Sequence, residues 1–441
     1  MRSPDGPDAA PVHVTLPLYG SLKTRLQDGH EIILLESGDA YFAALERAID
    51  AARNTVFVET YILNDDASGR RIARALANAF ERGVRVHLVV DGFGTPGFHG
   101  EVGDLLDACR GAVAVFRPER GALMFDRRRL RRLHRKLAVV DSRVAFVGGI
   151  NLLDDHVDPN HGALDAPRLD FAVQVRGPLV AHVSVAAQRL WHEIKLVNVS
   201  LHRGRQATER AAERASGEPG RSGSGRGGAG DVLQQAWSQA RTVTSEVTPV
   251  GNIRAQFAVR DNFRHRRTIE RWYLRRIAQA REDVLIANAY FLPGARFRRA
   301  LTMAAARGVR VRLLLQGRVE YRLQHYATQA LYGQLLAAGI EIYEYRSSFL
   351  HAKVAVIDDH ATVGSSNIDP FSLLLAREAN VFIDDAEFAG DLRDRLNHAI
   401  RSGSSVVALD AYRSRSWYRR LLHAFAFGLL RLFVSLSGER Y

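Results

Sequence analysis

The residues best suited to chemistry are two copies of one short pattern. Arg132-Leu-His134-Arg-Lys136-Leu-Ala-Val-Val-Asp141 continues to Gly148-Gly149-Ile-Asn151, and Leu350-His351-Ala-Lys353-Val-Ala-Val-Ile-Asp358 continues to Gly364-Ser365-Ser366-Asn367. Each copy has a histidine, a lysine two residues on, an aspartate five further, then a glycine-led turn and an asparagine. A lone His-x-Lys is commonplace, a satisfied histidine beside a surface lysine. Two copies with matched spacing and matched following residues form a signal. One imidazole can attack phosphorus while the other protonates the departing alkoxide, and ammonium and amide donors stabilise charge on the non-bridging oxygens. The pattern points to phosphodiester chemistry that requires no metal and no cofactor.

The elements that must position these groups can be read around them. The β-branched residues after each lysine indicate a buried strand, whose side chains alternate between faces, so His134 shares a face with Lys136 and His351 with Lys353. Asp141 and Asp358 are grouped with the catalytic residues by their place in the pattern. Their opposite parity turns them away from that face, toward ion pairing or turn formation. The scaffold is duplicated as well: Arg82-Gly-Val-Arg-Val-His-Leu-Val-Val-Asp-Gly92 reappears as Arg307-Gly-Val-Arg-Val-Arg-Leu-Leu-Leu-Gln-Gly317. Each copy follows a helical stretch, Arg70 to Glu81 and Ala295 to Arg307, and each stretch follows an apolar run, Val56 to Leu63 and Val284 to Leu292. A glycine that closes a helix and opens a β-branched strand is what an αβ loop feeding a parallel sheet requires. The expected fold class is α/β: two duplicated α-β-α sandwich domains related by a pseudo-twofold axis, with one active site at their interface. The first domain is placed at 14–202 and the second at 232–405. Between them, 203–231 is rich in Arg, Gly, Ser, Ala and Glu and reads as a flexible linker. The remaining 406–441 form a basic amphipathic segment.

Bulk properties bound the function class. The chain has 441 residues and 46% hydrophobic composition, enough for two ordinary cores, and one cysteine, Cys109, which excludes an intrachain disulfide and a multi-cysteine zinc site. Lys and Arg total 61 against 48 acidic residues, a net charge of +13, which favours an anionic partner, either nucleic acid or anionic lipid. Residues Met1 to His13 lack the apolar region of a secretory signal, and no uninterrupted apolar run has a membrane-spanning length. The expectation is a soluble or peripheral protein. The segment from Trp417 to Phe433 mixes large apolar residues with arginines. It suits a helix lying in a membrane interface or one that completes the domain core.

These residues resemble the phospholipase D superfamily, whose signature is the duplicated H-x-K-x(4)-D followed by G-G or G-S and an asparagine. The resemblance runs from about Thr55 to Ile400 apart from the linker. "ETYIL" at Glu59 to Leu63, "AFVGGIN" at Ala145 to Asn151, "DFAVQVRGP" at Asp170 to Pro178 and "GSSNIDP" at Gly364 to Pro370 are similar to bacterial cardiolipin synthases, in particular the B type without amino-terminal transmembrane helices. The resemblance implies two phospholipase D-like domains and a two-step transfer of a phosphatidyl group through a phosphohistidine. It assigns His134 as nucleophile and His351 as general acid and base, with Lys136, Lys353, Asn151 and Asn367 holding the phosphate. It also implies a carboxylate after each motif that orients a histidine, at Asp170 and Glu378. The motifs themselves, being near equivalents, do not say which histidine attacks.

The implied donor is phosphatidylglycerol or phosphatidylethanolamine and the acceptor phosphatidylglycerol or another alcohol, at an anionic phospholipid membrane. The expected location is peripheral, on the cytoplasmic face of a bacterial cell membrane, with no nucleic acid and no obligate protein partner. The run Arg127-Arg-Arg-Leu-Arg-Arg132 reads as a rim that gathers anionic headgroups or as a solvated face. A hydrolase or nuclease using the same site is the alternative, and a non-catalytic binding protein is disfavoured by the intact pairs of His, Lys and Asn. One departure is Asn288-Ala-Tyr-Phe-Leu-Pro293, where lipid-acting relatives commonly have a proline before the Tyr-Phe pair.

Overall fold

Continuous runs of β-branched and other apolar residues form strands that are buried on both faces, and in the computed structural model these strands form one sheet of fifteen. The structure describes residues 12–17, 24–109, 111–118, 132–159, 161–196, 242–261, 265–370, 372, 376–414 and 416–436. The expected linker at 203–231 and the basic residues 127–131 lie outside the described residues. From edge to edge the strands are Ser404–Val406, Glu341–Tyr345, Arg310–Gln316, Asp283–Asn288, Lys353–Ile357, His360–Gly364, Glu378–Asp384, Ile253–Arg260, Gln27–Glu36, Phe171–Arg176, Val144–Gly148, Lys136–Val140, Thr55–Thr60, Arg85–Asp91 and Val113–Phe116. Apart from the edge strand Ser404–Val406, the order outward from the middle is the same on both sides. The middle is the antiparallel seam where Ile253 faces His30 and Ala255 faces Gln27.

Helices cover both faces. On one face, Ser37–Asp50 and Ala67–Glu81 bury Leu45, Ile72 and Leu76 against Val56, Val58, Val86 and Leu88. On the same face of the other half, Thr268–Gln279 and Ala295–Ala306 bury Ile277 and Leu301 against Val284, Ile286 and Val311. On the opposite face, the helix over 179–196 and the helix Ala386–Gly403 lie over a core that contains Leu137, Val139 and Val173 of one half and Val354, Val356 and Val381 of the other. That core is continuous across the seam, so burial of apolar surface opposes separation of the halves. The helix Ala67–Glu81 begins three residues before the sequence expectation because Asp66 caps it, accepting from the Gly69 amide at 2.9 Å.

The C-terminal helix Trp417–Leu436 packs on Arg322–Gln329. It buries Ala426 and Leu430 and leaves Trp417, Leu421 and Phe425 exposed. One stripe therefore completes the core and the other faces outward. Among the described residues no helix is long and apolar enough to cross a membrane.

Asp141 and Asp358, grouped with the catalytic residues by their place in the pattern, stand at the ends of their strands remote from Lys136 and Lys353. Asp141 accepts from the amides of Arg53, Asn54 and Thr55 at 2.8, 2.7 and 2.8 Å, and Asp358 from those of Arg281, Glu282 and Asp283 at 2.9, 3.0 and 3.0 Å. Each fastens the turn that opens the neighbouring strand. Burial alone would raise the Asp358 carboxyl, but these three amides hold it below the usual range. Replacement of Asp358 by alanine is expected to cost about 1–2 kcal/mol of stability in chemical denaturation, with turnover per folded molecule changed only a few-fold. A collapse of turnover at unchanged stability would return Asp358 to the chemical centre.

Candidate active site

His134 and His351 each lie just ahead of the strand that begins at its lysine, and each is held by backbone from the other half. His134 N donates to Arg377 O at 3.0 Å and Arg377 N to Arg132 O at 2.8 Å; His351 N donates to Leu169 O at 2.8 Å and Leu169 N to Phe349 O at 2.9 Å. These are short parallel bridges, Leu133 with Arg377 and Leu169 with Leu350. The residue after each bridging segment is a carboxylate, so each half delivers one to the other half's imidazole. His134 Nδ1 lies 3.0 Å from Glu378 Oε1, and His351 Nδ1 lies 2.6 Å from Asp170 Oδ2. A carboxylate at Nδ1 fixes the tautomer and ring orientation and leaves Nε2 for a substrate.

The lysines lie beside these pairs, and the charges of both act on each histidine. Lys136 donates to His134 O at 2.9 Å, and Lys353 donates to His351 O and stands 3.6 Å from Asp170 Oδ2. Both are buried, and desolvation together with the charge of Lys353 pushes Lys136 down to about 7. Desolvation pushes Lys353 down less far, to about 8, because Asp170, Glu378 and Glu320 favour its charge. The asparagines are buried nearby. Asn151 Oδ1 accepts from the Ile62 amide at 3.3 Å, whereas Asn367 Oδ1 has no hydrogen-bond partner among the described residues. A buried amide with an unpaired end is poised for a ligand.

The two carboxylates have different surroundings. A Cβ at Gly149 would lie 2.3 Å from Asp170 Oδ1, so only glycine lets that carboxyl reach its place. At the matching position of the other half stands Ser365, whose hydroxyl donates to Glu378 Oε2 at 2.6 Å. Burial pushes Asp170 up to about 6, against the pull of Lys353 and the Phe171 amide. Burial also acts on Glu378 but is outweighed by His134, Lys136 and the Ser365 hydroxyl, which hold it below the usual carboxylate range. Desolvation lowers both histidines. The effect is stronger on His351, where Lys353 and Lys136 add to it, than on His134, where Glu378 opposes it.

Several residues around the cluster were not singled out by the sequence patterns. Tyr61 lies against His134 with ring centroids 5.2 Å apart, and Lys136 Nζ lies 5.3 Å from its ring centre. Arg135, between the motif's histidine and lysine, forms a buried pair with Glu59, Nε to Oε2 at 2.9 Å. Arg168 pairs with Asp158 at 2.9 Å and its charge is felt at His351. Tyr290 donates to Glu320 Oε2 at 2.6 Å. The general rule that α/β sheets bind ligands beyond the carboxyl ends of their parallel strands indicates the segments after Thr60, Asn288 and Gln316, though not individual side chains. Among the described residues no group of three or more His, Cys, Asp or Glu side chains is arranged to hold a metal.

Comparison with known proteins follows the same division into halves. The family described as "Cardiolipin synthase, PLD-like domain" matches residues 45–164 and 273–400. Cardiolipin synthase B of Escherichia coli (strain K12) is 35% identical over 418 residues, covering 95% of this chain and 92% of that protein. Cardiolipin synthase B of Salmonella typhi is 36% identical over 420 residues, with coverage of 95% and 92%. Among solved structures, phosphatidylserine synthase of Haemophilus influenzae Rd KW20 aligns with a TM-score of 0.59 at 13% identity, covering 91% of this chain and 94% of that one, a likeness of fold.

The buried lysines give a signed pH dependence. Lys136 and Lys353 lose their protons through about 7 and about 8, so both are charged at pH 6 and neutral at pH 9. Sulfate keeps its charge over that range, and its affinity in calorimetric titration is expected to fall about tenfold or more from pH 6 to pH 9. Affinity that rises or stays level would contradict the two-lysine phosphate site.

Proposed function

The chain belongs to the cardiolipin synthase family with PLD-like domains, and from that premise we propose that it transfers a phosphatidyl group between phospholipids through a phosphohistidine on His134. The enzyme is a phosphatidyltransferase, and its substrates are phospholipids. The observation that carries the reading is the pair of histidines, each held at Nδ1 by a carboxylate of the opposite half, with two buried lysines beside them.

In the first step His134 Nε2 attacks phosphorus of phosphatidylglycerol, a P–N bond forms, the P–O bond to the headgroup breaks, and His351 gives its proton to the departing glycerol. In the second step a hydroxyl of another phosphatidylglycerol attacks the same phosphorus, the P–N bond breaks, and the proton returns to His351. Lys136, Lys353, Asn151 and Asn367 hold the non-bridging oxygens. The division of roles follows the carboxylates. Glu378, held below the usual carboxylate range by His134, Lys136 and the Ser365 hydroxyl, draws on the Nδ1 proton of His134 and makes its Nε2 more basic. Asp170, at about 6, holds a pair that exchanges a proton near neutral pH, which suits an acid that must later act as base. The bound phosphodiester carries negative charge and raises the pKa of both imidazoles, which favours a proton on His351 once substrate is seated.

The protein would act peripherally at an anionic phospholipid surface, on the cytoplasmic face of a bacterial membrane. The net charge of +13 and the outward apolar stripe of Trp417, Leu421 and Phe425 favour that surface. Incubation with phosphatidylglycerol vesicles is expected to yield cardiolipin and glycerol, and His134→Ala and His351→Ala to lower the rate by about 10³-fold or more. Mass spectrometry of the lipids checks both. Phosphatidic acid as the only product would indicate a hydrolase, and no lipid turnover with cleavage of DNA would indicate a nuclease.

A further inference from the structure

The rim around the two histidines carries exposed apolar side chains that neither the chemistry nor the core uses. Asp91 and Gln316 end the matching parallel strands Arg85–Asp91 and Arg310–Gln316, and each holds the residue before a catalytic histidine. Asp91 Oδ2 accepts from the Leu133 amide at 2.7 Å, and Gln316 Oε1 accepts from the Leu350 amide at 3.1 Å. The loops that leave these strands therefore start beside His134 and His351. They match in backbone, Gly92 N reaching Phe116 O as Gly317 N reaches Tyr345 O, both at 2.9 Å. In the loop after Asp91, Phe93 is 53% exposed; in the loop after Gln316, Val319 is 42% and Tyr321 56% exposed. The residue after each glycine also forms an arginine–aromatic pair with the residue two before the histidine, with the roles exchanged between the halves. The Arg132 guanidinium lies 4.2 Å from the Phe93 ring centre, and that of Arg318 lies 5.9 Å from the Phe349 ring centre.

Exposed apolar residues scattered singly are ordinary, but a set that recurs on both sides of one site, interleaved with arginines, marks a contact surface. Apolar tips that enter a bilayer interface, with guanidinium groups at the level of anionic headgroups, are the groups such a surface needs. The C-terminal helix extends the same chemistry. Trp417–Leu436 contains three arginines and no Asp or Glu, and it exposes Trp417, Leu421 and Phe425. It packs on Arg322–Gln329, the helix that continues directly from Tyr321, with His423 stacked on Tyr326 at 5.6 Å between ring centroids. We propose that this rim, Phe93 with Arg132 beside His134 and Val319 with Tyr321 beside His351, is the face that docks on an anionic phospholipid bilayer, with the C-terminal helix lying in the interface next to it. The two imidazoles keep 15% and 16% of their side-chain surface exposed. Docked in this way, the protein meets the headgroup phosphate at the level of the histidines while the acyl chains stay in the bilayer.

The inference deepens the lipid reading above, and its test is read apart from turnover. Cosedimentation with vesicles of equal parts phosphatidylglycerol and phosphatidylcholine is measured for wild type, the double variant Phe93→Ser/Val319→Ser, and Met303→Ser. Met303 is exposed near the end of Ala295–Ala306 that leads to the amino end of Arg310–Gln316, away from the rim. Wild type is expected to bind these vesicles about tenfold or more tighter than phosphatidylcholine alone, and the double variant to lose about tenfold, with Met303→Ser unchanged. Turnover of monomeric short-chain phosphatidylglycerol, which requires no docking, is expected to stay within about twofold in both variants. A polarity-sensitive fluorophore on Phe93→Cys and on Met303→Cys gives a second reading, since Cys109, the one cysteine of the sequence, is buried. Its emission is expected to shift to the blue with vesicles at position 93 and not at 303. A double variant that binds as tightly as wild type, with no shift at position 93, would overturn the docking face whatever the turnover. Docking through this rim by a wild type that turns over no lipid would instead remove the transfer reading and leave this inference standing.

Discussion

The contact on which the arrangement depends is the reach of each carboxylate across the seam to the other half's imidazole. An imidazole buried beside two lysines is in a poor environment for any proton, and without a fixed acceptor at Nδ1 its tautomer and ring plane would be undefined. Glu378 and Asp170 supply that acceptor, and neither comes from the half that carries the histidine it serves. Neither half alone contains an oriented histidine. The continuous fifteen-stranded sheet, the shared core beneath the helices 179–196 and Ala386–Gly403, and the paired bridges at Arg377 and Leu169 all hold that crossing in register.

Pseudo-symmetry gives two near-equal sites, and ordered chemistry needs them to differ. The differences lie in small substitutions between matched positions. Gly149 against Ser365 gives Glu378 a hydroxyl donor that Asp170 lacks at the matching position. Thr95 against Glu320 places a carboxylate on only one side of the cluster. Each change is a single side chain in a loop beyond the carboxyl end of a strand, where the sheet tolerates variation without loss of its core.

The sequence made the α/β class, the duplication and the two His-Lys strands legible because all three are periodic. β-branched runs mark buried strands, and the repeat at Arg82 and Arg307 marks the half-domain. Parity along the strand also turned Asp141 and Asp358 away from the pocket, where they are found bonded to the turns at 53–55 and 281–283. What could not be read was the crossing. Asp170 and Glu378 were named through resemblance, but nothing in linear order says that Glu378 serves His134, more than two hundred residues away. Likewise Tyr290 and Glu320 belong to loops with no periodic constraint. They meet only because the strands Asp283–Asn288 and Arg310–Gln316 lie side by side.

The most direct test of the crossed pairing is the site and linkage of the trapped intermediate. With ¹⁵N-histidine-labelled protein, alkaline quench during turnover of phosphatidylglycerol and ³¹P spectroscopy of the purified adduct, the account predicts phosphorus on Nε2 of His134, because Glu378 occupies Nδ1. Phosphorus bonded to Nδ1 of either histidine would contradict it, since that nitrogen could not then be the one held across the seam.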